Sequence, residues 1–108
     1  MHAFHLKKLL AGHNWQAHHY LEFLNVPSLS VGIYCLPAGG TDPQQPHTED
    51  EIYYIISGQS QFQLEDETQP VGPGTILYVA AHQPHKFFAI TEDLTILVFF
   101  APAEYSQK

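Results

Sequence analysis

The last third of the chain constrains the fold most. It reads TILYVAA, AHQPH, KFFAI, TED, LTILVFFAP, in which short apolar runs rich in β-branched and aromatic residues alternate with turn signals. The same rhythm appears earlier. From Pro27 the period is two, with Leu29, Val31, Ile33 and Cys35 on one face and Ser28, Ser30, Gly32 and Tyr34 on the other. PAGGTDP interrupts it, EIYYIIS resumes it, and Ser57-Gly58-Gln59 reads as a turn into the alternating QSQFQLE. DETQPVGPG is a turn-rich connection. Six or seven short strands at intervals of about 8–12 residues predict an all-β sandwich or barrel. The final LTILVFFAP is apolar throughout, as expected of a strand buried on both faces or packed sheet on sheet. Gly58 and Gly74 sit at expected strand boundaries, where a positive φ or a close backbone approach is anticipated.

The segment 1–27 is different. Leu6, Leu9 and Leu10 fall at i, i+3 and i+4, followed by Gly12, which suggests a short amphipathic helix or an irregular arm. Five of the eight histidines lie in the first twenty residues, with no ligand spacing, and read as an exposed polar arm. We therefore expect one domain over residues 1–108, with a barrel core at about 29–101 and an arm at 1–27.

Charge narrows the partners. The net charge is −7, the cations are Lys7, Lys8, Lys86 and Lys108, and there is no arginine. Nucleic acid, which requires clustered Lys and Arg, is an unsuitable partner. The apolar pieces of the N-terminus are too short for a signal peptide or a membrane span, so a cytoplasmic location without membrane association is expected. A lone cysteine, Cys35, permits no internal disulfide and reads as a small buried hydrophobe.

The chemistry concentrates in QQPHTEDEIYYIISG, residues 44–58. Gln45, His47, Glu49 and Glu51 share one parity and would face one side of a strand, together with Ile55. Imidazole and carboxylate suit a divalent first-row metal, but a third ligand must come from elsewhere, and AAHQPHKFF offers His82 and His85. Glu49 and Asp50 read as a solvated rim, and His82 as a turn residue.

These residues resemble the cupins, small β-barrels of jelly-roll fold with a metal site in the barrel. Their first motif, G-x5-H-x-H-x3–4-E-x6-G, is similar to GGTDPQQPHTEDEIYYIISG, with Gly39, His47, Glu51 and Gly58 in place and Gln45 at the first histidine. Their second motif, G-x5-P-x-G-x2-H-x3-N, matches at Gly74 and His85. Ala80, His82 and Ala89 stand at its proline, glycine and asparagine. The resemblance implies a single cupin-type jelly-roll barrel with His47, Glu51 and His85 as metal ligands. Gln45 then binds weakly, orients a water or substrate, or marks a site that holds metal poorly. Two histidines and a carboxylate suit one divalent transition metal, whether Fe, Mn, Ni, Co or Zn. The resemblance further implies a small-molecule ligand or substrate, chemistry of the dioxygenase or isomerase type or else a non-catalytic binding module, and a homodimer. LTILVFF and the N-terminal arm are the candidate contact elements for the dimer.

Overall fold

The computed structural model describes residues 1–43 and 46–104. One helix and six strands follow in order: α1 (Leu6–Ala11), β1 (Tyr20–Val26), β2 (Leu29–Leu36), β3 (Asp50–Leu64), β4 (Glu67–Val71), β5 (Ile76–Val79) and β6 (His85–Ala101). All pairings are antiparallel, in the order β1-β2-β6-β3-β4, with β5 on β3. The all-β expectation holds. The short helix is present too, and its end is marked by the Gly12 N–H donating to the Lys8 carbonyl (3.1 Å). No helix among the described residues is long and apolar enough to cross a membrane.

Two expected turns lie inside strands instead. Ser57-Gly58-Gln59 falls within β3, and Thr91-Glu92-Asp93 within β6. The two strands pair along most of their length, Asp50 with Ala101 at one end and Leu64 with His85 at the other. Between Ile55 and Gln61 the register shifts repeatedly. Bulges of this kind bend and twist a strand without ending it. The first half of β3 pairs with β5 and the second half with β4, so one long bent strand serves two regions of the sheet.

Alternation then decides the core. In β3, Glu51, Tyr53 and Ile55 are buried while Ile52 and Tyr54 are exposed. In β6, Leu94, Ile96, Val98 and Phe100 point inward. LTILVFF is therefore buried on one face, with Phe99 exposed on the other. Both faces of β2 are covered, since Val31 and Ile33 are as buried as Tyr34 and Leu36. Tyr53, Phe62 and Phe87 form an aromatic centre with ring separations of 4.8–5.9 Å. Each such pair adds about 0.5–1.5 kcal/mol beyond area burial. The N-terminal segment is tied to the sheet by its own strand β1 and by Phe4 against Phe23, with ring centroids 4.9 Å apart.

Candidate metal centre

Three elements supply the site. His47 lies in the segment before β3, Glu51 is the second residue of β3, and His85 is the first residue of β6. Their ligand atoms lie within 4.8 Å of one another. Backbone ties lock the two loops together. The His82 N–H donates to the His47 carbonyl (2.7 Å), and the Ala81 N–H donates to Asp50 Oδ1 (2.9 Å). Asp42 braces the opposite side, accepting the Tyr34 hydroxyl (2.6 Å) and the Phe87 N–H (3.0 Å). Burial and that bond to Asp42 raise the Tyr34 pKa, so its phenol stays protonated.

His85 has a defined tautomer. A carbonyl can only accept, so Nδ1–H donates to the Gln83 carbonyl (2.8 Å) and Nε2 faces inward. Nε2 lies 3.0 Å from the Tyr53 hydroxyl and 3.3 Å from Glu51 Oε1. Burial pushes the His85 pKa down, but Glu51 and the Gln83 carbonyl outweigh it and leave the pKa raised. His47 is held below its ordinary value by burial, against the pull of Glu51. Its ring packs edge-on to Phe100 at 4.8 Å.

Glu51 is 1 % exposed, and neither of its carboxylate oxygens has a hydrogen-bond partner. A buried carboxylate compensated by no more than an imidazole at 3.3 Å is costly. A divalent cation between Glu51 and the two imidazoles supplies that compensation, so the donor set fits a metal. A cavity of about 320 Å³ opens beside it, walled by Tyr20, Tyr34, His47, Glu51, Phe100 and Glu104.

The structure thus brings His47, Glu51 and His85 together, while Gln45 lies outside the described residues. His82 is an exposed turn residue with φ 69°. Cys35 is half-buried, with burial raising its thiol pKa. Glu49 corrects the sequence reading: it is 2 % exposed, not a solvated rim. Its parity with His47 and Glu51 carries it inward, where it accepts the Thr48 hydroxyl. Asp50, on the other parity, is exposed as expected. Tyr53, which by residue type reads as core or barrel lining, is fully buried and also reaches the site, its hydroxyl 3.0 Å from His85 Nε2. Glu104, in what reads as a polar tail, carried no comparable signal.

A bent antiparallel sheet around a buried His–Glu–His cluster defines a cupin-type barrel. The chain belongs to the cupin family: the model for the Cupin domain matches residues 32–100. It is 44 % identical over 104 residues to the uncharacterized protein SCO3923 of Streptomyces coelicolor, covering 96 % of this chain and 99 % of that one. It is 32 % identical over 59 residues to the dimethylsulfoniopropionate lyase DddQ of Ruegeria pomeroyi, covering 54 % of this chain but 29 % of the lyase. The lyase crystal structure superposes with a TM-score of 0.66 at 27 % identity, over 70 % of this chain and 39 % of the lyase chain. An RmlC-like cupin of Methanocaldococcus jannaschii with a double-stranded β-helix fold gives a TM-score of 0.70 over 77 % of this chain and 78 % of that one. At 24 % identity it speaks for the fold alone.

Proposed function

We propose that this single-domain cupin is a metal-dependent enzyme acting on a small organic molecule. His47, Glu51 and His85 hold one divalent transition metal. The observation that carries this reading is the buried, hydrogen-bond-free Glu51 carboxylate facing two imidazoles at the wall of a ligand-sized cavity. Bound there, a divalent metal polarises substrate oxygens, or activates O₂ if it is iron. The protein's part is to position and enclose. Gln83 fixes the His85 tautomer, Asp42 pins Tyr34, and aromatic side chains line the cavity beside the ligands. Oxidative or isomerising chemistry is the first reading. The similarity to a lyase supports elimination as a second.

The test is elemental analysis of the untagged protein, followed by substrate-dependent spectral change or O₂ uptake after iron loading. About one metal per chain with a substrate response supports an enzyme. One metal without any response favours a metal-containing binding module, and no metal refutes the proposal.

We further propose that the protein is a homodimer paired through the outer face of the sheet. Ile52 lies opposite both Tyr78 and Phe99, and Tyr54 opposite both Ile76 and Leu97, which makes an apolar patch across three adjacent strands. Ile76 and Tyr78 are 67 % and 58 % exposed. Contiguous exposed apolar surface of this kind marks an interface. Phe99 and Leu97 come from LTILVFF, the element expected from the sequence. Sedimentation at micromolar concentration should give a dimer, and Ile52→Glu a monomer. A monomeric wild type refutes the pairing.

A further inference from the structure

The segment after β6 delivers a carboxylate, that of Glu104, to the cavity wall. The Ala103 N–H donates to the Pro27 carbonyl (3.5 Å), and the Glu104 N–H donates to Ser30 Oγ (2.9 Å). Ala103 and Ser30 are both buried. These ties lay the segment across the end of β2 and hold the Glu104 side chain, 10 % exposed, in the cavity wall. There Glu104 Oε2 stands 3.7 Å from His47 Nδ1.

We propose that Glu104 is a positioning residue for the metal, the outer carboxylate that takes the Nδ1–H of His47 and leaves Nε2 bare for the cation. The inference rests on the metal-centre reading above. The other histidine supplies the precedent: its Nδ1–H is taken by an outer oxygen, the Gln83 carbonyl, while Nε2 faces Glu51. A ligating histidine commonly gives its second N–H to a carboxylate or carbonyl, which fixes the ring and raises its basicity. At 3.7 Å the contact is an ion-pair approach rather than a formed hydrogen bond. A cation held by His47 at Nε2 would polarise the ring and make Nδ1–H a stronger donor toward Glu104.

The experiment compares wild type, Glu104→Ala and Glu104→Gln in competition titrations with Zn²⁺ and a chromophoric chelator. Imidazole ¹⁵N NMR of the zinc-loaded proteins runs alongside. Removing an outer-shell partner weakens metal affinity about 10- to 100-fold, so Glu104→Ala should fall in that range. Glu104→Gln should fall less, because its amide oxygen still accepts. In the wild type the His47 Nδ1–H should be protected and visible. In Glu104→Ala it should be lost to exchange while that of His85 persists, a contrast that general destabilisation does not produce. Wild-type zinc binding with Glu104→Ala within twofold of it and an unchanged His47 signal overturns the role of Glu104 alone. A wild type that takes up no zinc overturns the metal-centre reading instead.

Discussion

His85→Ala should abolish metal uptake while leaving a folded barrel. The ring supplies one of three ligands, and two ligands hold a divalent ion poorly. The nearby His82 does not replace it: it is exposed and is not among the described residues whose ligand atoms converge here. The fold survives because the apolar core around Tyr53, Ile55, Leu94 and Ile96 does not depend on the imidazole. The loss is still measurable. Tyr53 and the Gln83 carbonyl each lose a hydrogen-bond partner, and a ring's volume is left unfilled. We expect a destabilisation of about 2–3 kcal/mol in the metal-free protein. Elemental analysis and far-UV circular dichroism make the check. A full metal equivalent retained by His85→Ala would sink the site assignment.

Gly58→Ala should be the most destabilising single-methyl substitution in the chain, at about 4 kcal/mol or more. Two causes add. Gly58 has φ 100°, outside the comfortable range of L side chains. A Cβ there would also lie 2.3 Å from the Asp93 carbonyl oxygen and 2.8 Å from Leu94 Cα. These are backbone atoms of β6 held by pairing to β3, so relief requires the two bulged strands to separate. Gly74 provides the control. Its φ is 88°, but a Cβ would meet nothing within 4 Å. Gly74→Ala should therefore cost only the backbone term, about 1–2 kcal/mol. Urea unfolding of both variants decides the matter. Equal losses would mean that the close approach of β3 and β6 at Gly58 contributes nothing.

The same glycine shows where local pattern stops being informative. Ser-Gly-Gln and Thr-Glu-Asp carry turn chemistry, and read alone they end strands. In the molecule they face each other across β3 and β6, with Gln59 opposite Glu92, and become matched bulges. A turn and a bulge ask for the same residue types; only the partner strand distinguishes them. Glu49 makes the complementary case. Its charge suggested solvent, yet it is buried, on the parity that it shares with Glu51.

The sequence by itself determined the strand alternation, and with it the inward placing of Glu51 and Ile55 and the outward placing of Ile52 and Tyr54. It also held the resemblance that singled out His47, Glu51 and His85. Side-chain alternation is a property of the extended backbone and needs no knowledge of the rest of the fold. Only the tertiary structure decided that these side chains meet. The backbone of His85 pairs with Leu64, at the far end of β3 from Glu51. Pairing alone would leave the two apart; the bend at Gly58 curls the strand so that both ends face one interior, and there His85 reaches Glu51 at 3.3 Å. Glu104 reaches His47 for the same kind of reason, through a segment anchored on Pro27 and Ser30. Closure of this kind depends on contacts between residues remote in sequence, and no short window of sequence contains both partners.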